Sequence, residues 1–166
     1  MNRLQTALER IQFSRQYTLR LIDGLAPGDW YRMPTPAITH IAWQVGHLAM
    51  AQYRLTLDRI RGERPADTEV ISVQFLKQFG KDSVPQSDPA NSPTPAEILA
   101  TCERVHRQSL TELSQFPEAE WNAPPLKPHP LFETKLDGLY WCAHHEMLHA
   151  GQIGLLRRLL GYTPKW

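Results

Sequence analysis

The chain has 166 residues, 42% of them hydrophobic and 21% charged, with a formal net charge of +1. This length can bury a substantial core in one domain, expected to span 1–166, and the near-neutral charge excludes a nucleic-acid surface dominated by phosphate contacts. No apolar run reaches the ~18 to 20 residues that cross a bilayer, polar residues recur through the N-terminus where a signal peptide would be apolar, and Cys102 and Cys142 give no disulfide framework, so the expected setting is the cytoplasm, with neither membrane nor nucleic-acid partners.

The first helix is predicted from about Asn2 to Asp23. Asn2 can cap it, with Gln5 three residues on. Leu4, Leu8, Ile11, Thr18, Ile22 and Leu25 recur at helical spacing, and Gly24 suits the left-handed position after the last turn. Ser14, Arg15 and Thr18 read either as edge positions or as the border of a polar cavity. Residues 24–38, with Pro27, Gly28, Pro34 and Pro36, make a connection from which Trp30 folds back on the bundle end. A second helix is predicted from Thr39 to Arg61, stopping at Gly62. Its stripe of Ile41, Val45, Leu48, Gln52 and Leu55 is flanked by Trp43, His47, Met50 and Ala51.

Residues 62–95 are irregular and rich in proline, with a short helix expected around Val70 to Phe79. A connection this long inside a compact domain often has a job; it can cross the bundle or cover one end. The third helix opens at Thr94-Pro95-Ala96-Glu97, a capping box with proline in the first turn. It carries Leu99, Cys102, His106, Leu110 and Leu113 on one face and ends at Phe116-Pro117. Residues 117–133 form a second proline-rich connection, with His129 expected to be exposed. The fourth helix starts near Thr134, where Asp137 completes a capping box, and ends at Gly161. Four amphipathic helices without a convincing strand predict an all-α, four-helix bundle.

Of seven histidines, His145 and His149 stand four apart in the fourth helix. At ~3.6 residues per turn both imidazoles lie on one face, about one turn apart. They can close on one divalent ion, because nitrogen ligands stand only ~2 Å from zinc. The face they share also carries Trp141, Gln152 and Leu156 and reads as the buried side. There an unpartnered imidazole pair would lose its hydration uncompensated; a hydrogen-bonded carbonyl or carboxylate can satisfy it, and so can a metal. Bundles build metal sites from side chains on facing helices, and His47, in the middle of the second helix, is the candidate third ligand; Gly46 beside it would let another helix or a ligand approach closely.

The run His145-Glu146-Met147-Leu148-His149 also fits the H-E-x-x-H pattern of zinc proteases. No His, Asp or Glu follows His149, so the downstream ligand of that arrangement is missing. Glu146 reads as a base at the site or as a solvated or supporting carboxylate. His144 lies ~100° round the helix from His145 and is expected to face away, and His40, two turns before His47, belongs near the helix start. His106 interrupts an apolar stripe and reads as a hydrogen-bonded core residue, a pocket residue or a fourth ligand. Cys142 is expected to be a small buried hydrophobe. Trp43 and Trp141, each four residues before a candidate ligand, are pocket walls or core. Together with Gln44, His106, Glu146 and Gln152 they are the candidate pocket residues.

Two stretches carry a resemblance: Ile41-Ala42-Trp43-Gln44-Val45-Gly46-His47-Leu48 in the second helix, and His145-x-x-x-His149-Ala150-Gly151-Gln152-Ile153 in the fourth. In these, and in the order of helices and the two long connections, the chain resembles the DinB/YfiT-like (DinB_2) metal-binding four-helix bundles. The resemblance implies a metal triad of His47, His145 and His149, an up-down-down-up arrangement with a long crossover between helices two and three, and a homodimer. Three neutral imidazoles leave a coordination position for water or substrate. Zinc or nickel is the expected metal, with iron and manganese also compatible. The resemblance further implies S-transferases or isomerases that use low-molecular-weight thiols such as bacillithiol or mycothiol, the metal holding the thiol as thiolate. A metal-dependent hydrolase of a small-molecule substrate is a second enzymatic reading. A non-catalytic metal- or ligand-binding stress-response bundle and a purely structural dimerisation domain are the remaining ones.

Overall fold

Asn2 opens the first helix, α1 (Arg3–Ile22), its side chain accepting the Leu4 and Gln5 backbone N–H groups. Caps of this kind satisfy donors that have no partner within the helix. The computed structural model describes residues 2–34 and 39–165, so Pro36 lies outside the described residues. The second rod, α2, is α-helical over Ile41–Gln52, passes into a π-helical stretch over Tyr53–Asp58 and closes with an α-helical turn, Arg59–Arg61. Its cap is His40, whose ring Nδ1 accepts the Trp43 N–H at 3.1 Å. Thr56 at the centre of the π stretch donates its hydroxyl to the Gln52 carbonyl at 2.6 Å, competing for an acceptor that the regular ladder would use.

The connection after α2 holds two short helices, α3 (Asp67–Val70) and α4 (Val73–Gln78). The single helix expected over 70–79 is therefore split at Ile71, because Ser72 starts a new helix by accepting the Phe75 N–H. Arg61 ties this connection down, its guanidinium reaching Asp67 at 2.7 Å and Glu112 at 2.8 Å. Helix α5 (Pro95–Ser114) begins with the expected reciprocal capping box of Thr94 and Glu97. Helix α6 (Lys135–Leu159) begins at Thr134, which accepts the Asp137 N–H. No strand occurs among the described residues; His129 and Phe132 form an isolated bridge. No described helix is long and apolar enough to cross a membrane.

Hydrogen bonds fix the helix directions. Tyr140 donates to the Arg3 carbonyl near one end of α1, and Arg157 to the Leu21 carbonyl near the other, so α1 and α6 run parallel. Cys102 meets Val45, His106 meets Gln52, Ser109 meets Thr56 and Glu112 meets Arg61, so α2 and α5 also run parallel. Gln44 faces Gln152 while His47 faces His145, which sets α2 against α6. The connection through α3 and α4 is thus a crossover that carries the chain back along the bundle.

The interior falls into two apolar clusters. One contains Leu21, Ile41, Leu48, Ile98, Ile153 and Leu156; the other contains Leu8, Ile11, Ile60, Leu113, Leu136 and Leu139. Each such side chain contributes about 1.5–3 kcal/mol on full burial. Between the clusters, midway along the four long helices, lies a polar layer of Arg15, Gln52, His106 and Glu146. Ser14, Arg15 and Thr18 are not edge positions: Arg15 is only 4% exposed, and Ser14 and Thr18 are buried with it. Arg15 is buried because Glu146 supplies its counter-charge from α6.

Candidate metal centre

Three imidazoles converge on the seam between α2 and α6. His47 projects from the α-helical part of α2 and is buried; His145 and His149, one turn apart on α6, are half-buried. One ligand atom from each lies within 4.8 Å of the others. The Nε2 atoms of His145 and His149 are 3.2 Å apart. Two ligands of a tetrahedral zinc stand about 3.3 Å apart, so this pair already has the spacing of one edge of such a site.

The remaining ring nitrogens are held from behind. His47 Nδ1 donates to the Phe79 carbonyl at 2.9 Å, which leaves the Nε2 lone pair free. His149 Nδ1 donates to Gln44 Oε1 at 2.5 Å. The Gln44 amide nitrogen is itself committed, donating to Gln152 Oε1 at 2.8 Å and to Thr39 Oγ1 at 3.2 Å. Anchoring the second nitrogen fixes the tautomer and orientation that a metal meets. Trp43 stacks on His47 at 4.7 Å between ring centroids and donates its indole N–H to Ser83 at 2.9 Å. Burial, reinforced by the neighbouring imidazoles, lowers His145 to about 4 and His149 to about 3. Burial also holds His47 below the ordinary histidine value. All three are neutral at pH 7, the state that donates to a cation. The donor set fits a borderline divalent ion: three neutral nitrogens, two of them with their protons held on the far side of the ring.

Phe79 reaches His47 because residue 46 is glycine. A Cβ at Gly46 would lie only 2.4 Å from Phe79 Cδ1, a clash with the ring. The close approach expected at Gly46 is therefore made by the crossover rather than by another long helix. Once the ring is seated there, its backbone carbonyl faces the imidazole.

His47 and His145 form one wall of a cavity of about 720 Å³, within the size range of small-molecule sites. Trp141, Met50 and Leu55 line its apolar side, Arg54 and Arg59 of α2 line it too, and the crossover contributes Leu76, Lys77, Gly80, Lys81, Asp82 and Ser83. His129, expected to be exposed, is half-buried and lines this cavity, with its ring stacked on Phe132 at 4.3 Å and standing 6.2 Å from Trp141. Burial first, and then the Arg59 and Lys81 charges, hold His129 below the ordinary histidine range.

The other candidates fall in different places. Trp43 and Gln44 support triad members directly. Gln152 acts one step further out, through Gln44. The face of Trp141, Gln152 and Leu156 is not uniformly the buried side: Leu156 is buried, Trp141 half-buried and Gln152 exposed. The buried face of α6 is instead that of Leu139, Cys142, Glu146, Ala150 and Ile153, which places the histidines at a seam rather than on the bundle axis. Glu146 belongs to the polar layer and is 2% exposed, so it is neither solvated nor on the cavity wall. Arg15 Nη2 donates to its Oε2 at 3.2 Å, while Arg15 Nε lies 3.0 Å from Oε1 without the alignment of a hydrogen bond. His106 accepts from Gln52 at 3.1 Å and does not enter the triad or the cavity. Burial and then the Arg15 charge lower it to about 4. Cys102 and Cys142 are buried free thiols, and burial pushes Cys142 up. His144 is exposed.

Sequence reasoning did not foresee Phe79 behind His47, or His129, Arg54, Arg59, Lys77 and Lys81 on the cavity wall. Phe79 acts through its carbonyl, which has no sequence signature, although Gly46 beside His47 signalled a close neighbour. Arg54 follows Met50 and Ala51 on the His47 face and was legible from helical period. Arg59 was not, because its direction depends on the π-helical stretch. A family model of the DinB superfamily matches residues 10–153, well over half the chain. No curated protein matches it.

Proposed function

The chain belongs to the DinB superfamily, and on that premise we propose that His47, His145 and His149 hold one divalent transition metal, zinc or nickel, and that the site serves thiol-dependent group transfer or isomerisation of a small molecule. The observation that carries this reading is the convergence of three neutral imidazoles at the edge of a cavity of about 720 Å³. A site closed by a fourth protein ligand would favour mere storage of the ion. Here the nearest sequence candidate, His106, is engaged with Gln52 instead.

When bound, a divalent ion on such a triad supplies Lewis acidity, which at neutral pH favours the thiolate form of a thiol beside it. The chain's own residues do the rest. Phe79 and Gln44 hold the imidazoles in one tautomer. Trp43 clamps the His47 ring in its plane. Trp141, Met50 and Leu55 keep one side of the cavity apolar and exclude water from it. A hydrolase would need a base poised over a water molecule. The sequence candidate for that role, Glu146, is committed to Arg15 inside the core, which favours the thiol reading.

Protein purified without a histidine tag is expected to contain or take up one zinc or nickel per chain. Zinc at about 100 times its Kd should stabilise the fold by about 2.7 kcal/mol, a gain absent in His149→Ala. Metal-loaded protein given bacillithiol or mycothiol with monochlorobimane should turn over, and His149→Ala should not. Turnover unchanged in that variant would remove the triad from the mechanism.

A further inference from the structure

The cavity beside the triad carries a marked charge imbalance. Arg54, Arg59, Lys77 and Lys81 line it against a single carboxylate, Asp82. None of these four cations makes an ion pair among the described residues. Arg59 Nε is buried and has no hydrogen-bond acceptor. Its Nη1 reaches only the Arg54 carbonyl, at 3.4 Å. A buried guanidinium donor without an acceptor is costly, and it is retained here on the wall of a cavity large enough for a ligand.

The backbone explains why two arginines of α2 share that wall. In a regular α-helix, residues 54 and 59 would lie about 140° apart. The π-helical stretch Tyr53–Asp58 lies between them, and the Arg59 N–H bonds back to the Arg54 carbonyl, five residues earlier. This wider turn rotates Arg59 toward the line of His47 and Arg54. Single π turns inside α-helices occur frequently at functional sites. The crossover adds Lys77 and Lys81 from the facing side. Trp141 and Leu76 add apolar surface to the same lining, and the Trp141 ring stands 6.3 Å from that of His145.

We propose that this cavity binds a small organic oxyanion, a carboxylate or phosphate ester with an apolar portion, holding its charge on Arg54, Arg59 and Lys81 and its apolar portion against Trp141 beside the triad. The inference deepens the metal-site reading and rests on it for the role of the ligand as substrate; the binding itself does not require the ion. Guanidinium groups suit both anions because their paired N–H donors match two oxygens at once.

The test uses three probes of one shape: 2-naphthoate, 2-naphthyl phosphate and the neutral 2-naphthamide. Each is titrated calorimetrically into chelator-stripped and zinc-loaded protein, with bound zinc measured in parallel. At low salt at least one anion is expected to bind about tenfold or more tightly than the amide to both forms, and whichever anion does so identifies the oxyanion. The preference should shrink as salt is raised. Arg54→Gln/Arg59→Gln should cut it to about twofold with zinc stoichiometry unchanged. Lys81→Gln, on the exposed crossover, should weaken it in part and serves if the helix variants fail to fold. Equal affinity for all three probes, no binding by any of them, or a preference untouched by these substitutions overturns the proposal, whatever the zinc result. A preserved anion preference in protein that takes up no zinc supports the cleft and removes the metal reading instead.

Discussion

Two polar clusters lie at nearly the same level of this bundle and follow opposite plans. In the layer between the apolar clusters, Arg15 and Glu146 neutralise each other, Gln52 accepts from Arg15 at 2.9 Å, and His106 takes the remaining Gln52 donor at 3.1 Å. Every member finds a partner within the protein, the Arg15 Nε and Glu146 Oε1 atoms as an ion pair at 3.0 Å rather than a hydrogen bond. On the seam between α2 and α6, His47 and His149 are anchored from behind by Phe79 and Gln44, and the inward nitrogens converge with no protein donor to answer all of them. The first cluster is closed and holds the helices in register. The second leaves ring nitrogens turned toward one another, the arrangement that the proposed metal would satisfy. The difference shows that burial of polar groups does not by itself mark a site; what marks it is which valences the fold leaves unanswered.

The largest effect should come from breaking the closed cluster. Arg15→Met leaves Glu146 charged and alone in the interior and should cost about 3–5 kcal/mol in urea denaturation. The double variant Arg15→Met/Glu146→Leu should recover most of that, since an apolar pair of similar volume replaces a buried ion pair at little cost. A double variant as unstable as the single one would mean that the layer does more than neutralise its own charges.

An intermediate effect is expected where the open cluster is supported. Gln44→Ala removes the acceptor behind His149 and should weaken zinc binding by about 10–100-fold, read by competition with a chelator. Metal-free stability should fall far less than in Arg15→Met. If Gln44→Ala instead unfolds the chain and leaves zinc affinity intact, the two clusters are not different in kind.

The smallest effect should come from Gly46→Ala, which forces the Phe79 ring away from α2. Overpacking of this kind costs about 1–3 kcal/mol, and the shift carries the Phe79 carbonyl off His47. The variant should therefore lose some stability together with some zinc affinity, whereas an alanine at the open position Gly151, where nothing lies within 4 Å of a Cβ, should leave zinc affinity unchanged. Equal zinc affinity in both variants would detach the crossover from the site.

Local chemistry made much of the fold legible in advance. The caps at Asn2, Thr94 and Thr134 and the helical stripes are decided by neighbours within a few residues, and they placed the four long helices to within a turn. The i, i+4 spacing of His145 and His149 put two imidazoles together for the same reason. His47 required more than spacing: its meeting with them depends on α2 and α6 lying side by side, which the resemblance of two short stretches implied and no local rule could supply. Glu146, beside a candidate ligand in sequence, turned out to face the core rather than the seam, because one helical step of ~100° separates the two directions.

The sequence by itself determined the four long helices, their ends and the pairing of His145 with His149, because hydrogen-bonded caps and periodic side chains act over distances that the chain spans locally. Only the tertiary structure decided that Phe79 would stand behind His47, that Arg15 would seek Glu146 across the core, and that a π-helical stretch would turn Arg59 toward the cavity. Those outcomes depend on which backbone and side-chain groups are brought together from distant parts of the chain, and on the need to give each buried polar group a partner once water has been excluded.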